Sequence, residues 1–329
     1  YDMAKANLLL QNVKQREFLQ KKEVETFAKK NNIPIFKKSG SGSFDQLMYI
    51  APGGIPIYYS IDNVATATST RVNFLRTGGG LGLNLTGTGM VPRVWDGGPI
   101  HEHQEYAGRI TMVDGTTRND NSFHAIHVTG TVIGNGTNVN AKGMAPAATA
   151  RTFDWNDDES EAITEAMNGM LLSNHSYGTP ISSVSTTPWY IGAYSADAYN
   201  WDMIAYTFPN YLPVMSAGND GGNANPTPTT NNYDKLNGNK NAKNILTIAN
   251  SNDATVNATT GAITAGGAIN TSSSQGPTDD RRIKPDVAGN GTGLTSAGNG
   301  ALTGGSITQY SSLTGTSMAA PNVTGTLTL

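Results

Sequence analysis

Four short segments of this 329-residue chain carry residue types suited to acyl-transfer chemistry. A carboxylate, Asp96, ends the apolar run Met90-Val91-Pro92-Arg93-Val94-Trp95 and precedes Gly97-Gly98. Two histidines stand three apart in His124-Ala125-Ile126-His127-Val128-Thr129-Gly130-Thr131. An amide, Asn219, lies in Ser216-Ala217-Gly218-Asn219-Asp220-Gly221, directly after the apolar run Leu212 to Met215. A hydroxyl, Ser317, lies in Gly315-Thr316-Ser317-Met318-Ala319-Ala320-Pro321. The Ala-rich stretch there reads as a helix start, with Thr316 as the N-cap acceptor and Pro321 inside the first turn. A hydroxyl at that place meets the positive end of a helix dipole, where an oxyanion is favoured. A carboxylate fixed at a strand tip can orient an imidazole, and an imidazole can take a proton from a hydroxyl. A side-chain amide on a glycine-flanked turn can donate to a developing oxyanion.

Each segment also has a plainer reading. Asp-Gly-Gly and Asn-Asp-Gly are ordinary turns, and Gly-Thr-Ser is one more turn in a chain rich in those residues. A lone histidine pair is more often helix packing, or two metal ligands. The conjunction is what discriminates. Residues 315–321 resemble the nucleophile motif of the subtilisin-like serine proteases (subtilases), and the acid, base, amide and hydroxyl follow in that family's order. The histidine segment is similar to the family's His-Gly-Thr-His-Val-Ala-Gly-Thr, departing at Ala125, Ile126 and Thr129. The resemblance implies that Asp96 orients His124, that His124 is the general base and that His127 is structural. It further implies that Ser317 is the nucleophile, with Asn219 and the Ser317 N–H forming the oxyanion hole. Ala125, bulkier than glycine, is expected to narrow the cleft beside the base.

Two more segments extend the resemblance. Gly143-Met144-Ala145-Pro146 matches the family's Gly-Val-Ala-Pro. Ser176-Tyr177-Gly178 matches the Ser-Leu-Gly segment that lines the primary specificity pocket, so substrate should add along it as an extended strand. Many subtilases also hold calcium between a loop after the histidine helix and a carboxylate nine residues beyond the catalytic aspartate. Glu105 stands at that distance, and the implied ligands are Glu105, Asn135, Thr137, Val139 and Ala141, mainly through carbonyl oxygens. Calcium there would be structural, and the chemistry itself calls for no cofactor. Other metal readings are poorer. Asp154, Asn156, Asp158 and Glu165 echo an EF-hand loop, but Glu159 takes the place that needs glycine. His101, His103 and Glu105 could serve a metal-dependent hydrolase, yet the spaced second histidine of a metalloprotease helix is missing.

These residues need a scaffold, and the apolar patterning supplies one. Val91 to Trp95, Ala148 to Phe153, Met170 to Asn174, Leu212 to Ser216 and Ile245 to Ala249 read as buried strands. Asn121 to Ile133, Glu159 to Asn168 and Ala196 to Thr207 read as helices between them. Such alternation predicts an α/β domain, doubly wound on a mostly parallel sheet, with its site at the carboxyl ends of strands. This domain should span residues 73–329. Residues 1–72 read as a small N-terminal α+β module. It has one or two amphipathic helices over residues 4–31, which carry Leu8, Phe18 and Leu19, then strands Leu47 to Ile50 and Ile55 to Ile61 around an Ala51-Pro52-Gly53-Gly54 turn. A linker is expected near Asn63 to Thr77. The module has the form either of a propeptide, which would be cut off between about Asn63 and Gly80, or of a permanent accessory module.

Composition narrows the function classes. Cysteine is absent, which excludes disulfides, thiol catalysis and thiolate metal sites. A net charge of -3 leaves no footprint for nucleic acid or an anionic membrane. Charged residues form only 14% of a chain with 38 glycines, a loop-rich mixture consistent with an extracellular or cell-surface protein. Tyr1-Asp2-Met3 does not open a signal peptide, and no apolar run has the length of a transmembrane helix. Only twelve residues follow Ser317, so the helix that supports it is expected to be short or to have its remainder elsewhere. The expectation is a secreted serine endopeptidase acting on polypeptides. A catalytically silent binding module of the same fold is the main alternative.

Overall fold

The computed structural model describes residues 2–38, 44–61, 69–115, 117–225, 233–257, 259–298 and 307–329. Its centre is a seven-stranded sheet, and every strand pair in it is parallel. The strands are β4 (Arg93–Asp96), β5 (Ile110–Met112), β6 (Ala150–Asp154), β7 (Leu172–His175), β9 (Leu212–Ser216), β10 (Leu246–Ser251) and β13 (Val287–Asn290). Their spatial order is β13-β10-β9-β7-β4-β6-β5. The order reverses between β4 and β7, so the loops leaving these neighbours diverge and open a crevice at their carboxyl ends. Parallel strands are covered on both faces, which explains the buried apolar residues at the centre of β4, β6 and β9. All four residues of β7 are buried, as are four of the five in β9.

Helices α2 (Ser122–Ile133) and α5 (Thr316–Leu327) pack against each other on one face. Helices α3 (Asp158–Met167) and α4 (Ala196–Thr207) cover the other. Trp95, Phe153, Ile163, Trp201 and Ile204 fill the core beneath α3 and α4. Val94, Ile126, Val128, Val132 and Met318 fill the core beneath α2 and α5. Burying each such aliphatic side chain contributes about 1.5–3 kcal/mol. Two hairpins complete the domain: β11 (Ala254–Val256) with β12 (Ile263–Gly266), and β14 (Thr292–Ala297) with β15 (Tyr310–Thr314).

The N-terminal region holds one continuous helix, α1 (Met3–Asn31), capped by the Asp2 carboxylate and ended by Asn32 in the left-handed conformation. The amphipathic pattern predicted for it is only partly used. Ala6, Val13, Val24 and Ala28 are buried, whereas Leu8, Phe18 and Leu19 are more than half exposed. Helix α1 touches the rest of the molecule along a narrow stripe, so residues off that stripe face water. After it come β1 (Phe36–Lys38), β2 (Phe44–Ala51) and β3 (Ile55–Ile61), the last two joined by the predicted 51–54 turn. Strand β3 then pairs antiparallel with β8 (Tyr177–Gly178) of the larger domain. The first part of the expected linker, residues 63–68, lies outside the described residues.

Candidate active site

Strand β4 delivers Asp96 to the crevice with no exposed surface. Its Oδ1 accepts the Gly97 N–H at 2.7 Å and the His124 Nδ1–H at 2.6 Å. Gly97 is needed because a Cβ there would lie 2.7 Å from that of Asn121, just before α2. His124 occupies the first turn of α2 and is fully buried. One turn later, the His127 Nε2–H is shared between the carbonyls of Leu294 (3.2 Å) and Ser311 (3.1 Å), tying α2 to the β14–β15 hairpin. Burial pushes the His127 pKa down to about 3, so it stays a neutral strut. The two histidines thus have different partners, a carboxylate for His124 and backbone carbonyls for His127. Ala125 is 1% exposed and packs into the core.

Ser317 is the second residue of α5, and its helix packs directly on that of His124. The cap differs from expectation. Gly315 is the N-cap residue, and the Thr316 hydroxyl instead accepts the N–H of Gly218 at 3.0 Å. Pro321 sits beyond the first turn, inside the helix. Proline brings no N–H to the Ser317 carbonyl four residues back. The Ser176 hydroxyl donates to that carbonyl at 2.8 Å instead. The Ser317 hydroxyl in turn donates to the Ser176 carbonyl at 2.8 Å. This reciprocal pair joins the end of β7 to the start of α5.

Asn219 follows β9 on a turn where Gly218 adopts φ +98°. Its Oδ1 accepts the Thr316 N–H at 2.9 Å, which fixes which way the amide faces. The Nδ2 is then buried with no partner among the described residues. An orphaned buried donor is costly, by about 1–3 kcal/mol, and calls for an explanation. An anion formed beside the Ser317 N–H would satisfy it.

Tyr177 belongs to a chain of buried polar groups. It is 2% exposed, and its hydroxyl donates to Asp158 Oδ2 at 2.8 Å. That hydroxyl also meets His175 Nδ1, while His175 Nε2 meets Ser173 Oγ, each at 2.8 Å. Burial holds His175 near a pKa of about 3. Sequence reasoning passed over this chain of polar groups, since nothing in the residue spacing announces it.

The residues implied for calcium do not fit a cation cage. Glu105 is buried, and its two oxygens accept the N–H groups of Gly136 and Asn138, each at 2.7 Å. Tyr310 adds a hydroxyl donor at 2.8 Å. The Asn135 side chain accepts from the N–H and the hydroxyl of Thr137. Val139 is exposed, and Ala141 ends the segment as a buried apolar residue. Donors, not carbonyl oxygens, converge on the carboxylate. His103 is also spoken for, with Nδ1 accepting the Glu105 N–H and Nε2 meeting the Gln309 carbonyl. His101 Nδ1 meets the Glu102 carbonyl. The described residues contain no group of three His, Asp or Glu side chains able to hold a metal. No described helix is long and apolar enough to cross a membrane.

Among solved structures, the chain is similar to a cold-adapted subtilisin-like serine proteinase at 18% identity and a TM-score of 0.45, over 74% of this chain and 75% of that one. It is also similar to the self-cleaved protease domain of PatA, at 21% identity and a TM-score of 0.49, over 73% of this chain and 79% of that one. The family profile described as the subtilase family matches residues 99–329, beginning three residues after Asp96. That match takes in more than two thirds of the sequence, and the chain belongs to the subtilase family of serine proteases, which act on polypeptides.

Proposed function

We propose that the protein is a secreted endopeptidase that works through Asp96, His124 and Ser317, with Asn219 in the oxyanion hole. The observation that carries this reading is the locked amide of Asn219, whose buried Nδ2 lacks a partner beside the start of α5. The Asp96–His124 hydrogen bond supports it, since it holds the imidazole with Nδ1 protonated and leaves Nε2 as the base. Ser317 rests with its hydroxyl on the Ser176 carbonyl, so the hydroxyl must turn to His124 before attack. The oxygen then bonds to the scissile carbonyl carbon as His124 takes the proton. Asn219 Nδ2 and the Ser317 N–H receive the oxyanion. Collapse breaks the carbon–nitrogen bond, and His124 returns the proton to the leaving amine. Water repeats the sequence to release the acid.

We further propose that the N-terminal module within residues 1–72 is a propeptide. Strand β3 occupies the Tyr177–Gly178 edge that a substrate strand would use, so module and substrate compete for it. The secreted location rests on the family resemblance and on composition, and detection of the protein in culture medium tests it.

A fluorophosphonate should label Ser317 in the wild type and leave Ser317→Ala unlabelled. Asn219→Ala should lower kcat by about 10²–10³ with little change in KM. A folded wild-type chain that resists labelling would instead favour a silent binding module, for which the resting contact of Ser317 with Ser176 gives some ground.

A further inference from the structure

Beneath the segment Ser176-Tyr177-Gly178 lies a small pocket. Gly178, Thr179 and Pro180 form one side, Ser216 and Gly218 the other, and Lys240 crosses its floor. Lys240 comes from the 3-10 turn Gly238–Asn241 and is 3% exposed. A Cβ at Gly178 would lie 2.6 Å from Lys240 Cε and 2.9 Å from Nζ, and one at Gly218 would lie 3.0 Å from Nζ. Both walls are therefore glycine where the lysine passes, and its ammonium ends between them. Nζ approaches the Thr179 carbonyl at 3.5 Å, the long limit of a hydrogen bond.

Two carboxylates lie near. Asp220 lines the pocket, but its Oδ2 accepts the Ile181 N–H at 3.0 Å and its Oδ1 the Asn223 amide at 3.4 Å. Asp197 feels the lysine charge and is hydrogen-bonded to the backbone at Asn239. Both carboxylates are thus engaged by the protein's own donors. A cation on the floor of a desolvated pocket rewards an incoming anion and penalises an incoming cation.

We propose that Lys240 is the specificity determinant of this pocket and that the protein cleaves after acidic residues, aspartate or glutamate. This rests on the protease reading above and names its substrate class. The register of β3 agrees. Ser60 pairs with Gly178 and Ile61 with Tyr177. A substrate strand in that register sets its next residue opposite Ser176, whose carbonyl receives the Ser317 hydroxyl. In this chain's own sequence the residue after Ile61 is Asp62.

Digestion of a peptide library by the full chain tests the assignment, with wild type set against Lys240→Met and Lys240→Glu. The wild type should cut after Asp and Glu at least about 30-fold faster than after Asn and Gln in the same context. Lys240→Met should level that ratio, and Lys240→Glu should turn it toward Lys and Arg. Intact-mass analysis should place the chain's own cut after Asp62, slowed in Asp62→Asn. Equal wild-type rates after Asp and Asn overturn the assignment, as does a ratio that survives Lys240→Met. Fluorophosphonate labelling of wild-type Ser317 separates that failure from failure of the protease reading. If the wild type cuts nothing, peptides ending in Ser-Ile-Asp and Ser-Ile-Asn are compared for binding to Ser317→Ala. Equal Kd values then overturn it too.

Discussion

The seam where α2 meets α5 and the β14–β15 hairpin is built differently from the face where α1 and β2–β3 meet α3 and α4. The seam is made by close approach. A Cβ on Gly130 would lie 2.5 Å from Ser296 Oγ and 2.8 Å from Ala297 Cβ, and one on Gly325 would lie 2.5 Å from Met144 Cβ. Its hydrogen bonds are internal, with Ser296 Oγ donating to the His127 carbonyl at 2.9 Å. The N-terminal face combines a narrow apolar contact through Ala6, Val13, Ala51 and Ile57 with paired charges. Arg16 pairs with Glu159, Lys21 pairs with Asp157, and Glu17 accepts the Ser160 N–H at the start of α3. These groups surround a cavity of about 390 Å³ that also touches Asp158 and Asp197. Interdigitated small residues cannot be parted without losing the fold, whereas partly solvated ion pairs around a cavity can. The first region suits a triad that must hold its geometry, and the second suits a segment that must leave.

Overpacking the seam gives the largest expected effect. Gly130→Val should cost about 3 kcal/mol or more, read from the denaturant midpoint, because the new methyls meet β14. Gln20→Val, on the cavity wall of α1, should cost under about 1 kcal/mol. Equal costs would break the contrast.

The two regions should also respond oppositely to pH. His127, in the seam, has a folded pKa of about 3, below the usual 6.5, so the unfolded chain binds more protons between those limits. Seam stability should therefore be full above pH 6.5 and fall as pH drops, by about 1.4 kcal/mol per unit. At the N-terminal face burial raises Asp197 to about 6, and raises Asp158 and Glu17 as well. Here the folded chain binds more protons, so this contribution is full below about pH 4 and lost as pH rises through 6. Hydrogen exchange, corrected for its intrinsic pH dependence, should show α1 losing protection from pH 5 to pH 8 while the central sheet holds. Parallel loss in both would sink the idea.

How much of this was legible in the sequence follows the same division. The central strands and α2, α3 and α4 announced themselves because burial on both faces leaves apolar runs, and tertiary packing agreed with periodicity. Strand β13 runs Val-Ala-Gly-Asn, and β14 and β15 are mostly Gly, Ser and Thr, so backbone pairing rather than side-chain pattern makes them strands. Asp96, His124, Asn219 and Ser317 were readable because each sits in a motif. The Ser176 hydroxyl that compensates Pro321 was not, since 141 residues separate it from the carbonyl it serves. Lys240 lies in Gly238-Asn239-Lys240-Asn241, which reads as a solvated turn. Only the fold brings it under Gly178.

A smaller effect separates the ion pairs from one another. Glu17→Gln at pH 8 removes a carboxylate from the amino end of α3, where the helix dipole favours negative charge. It should weaken the docking of α1 by about 0.5–1 kcal/mol, seen as faster exchange in α1 alone. If exchange in α2 or α5 rises equally, the N-terminal face is not energetically separate from the seam.

The smallest expected effect concerns whether the seam needs a metal to stay closed. Glu105 lies at its edge, bridging the loop after α2 and Tyr310 of β15. Its oxygens already accept two N–H groups and a hydroxyl, so the carboxylate has three donors without a cation. A cation entering there would have to displace the Gly136 and Asn138 N–H groups and turn carbonyls inward, rebuilding the segment. Adding a chelator to protein purified with calcium should thus shift Tm by less than about 2 °C, under 1 kcal/mol for a chain of this size. A fall of 5 °C or more would mean that the seam owes its closure to a bound ion. Rigidity at the triad would then be conditional on metal, and the contrast with the detachable N-terminal face would rest on calcium rather than on packing.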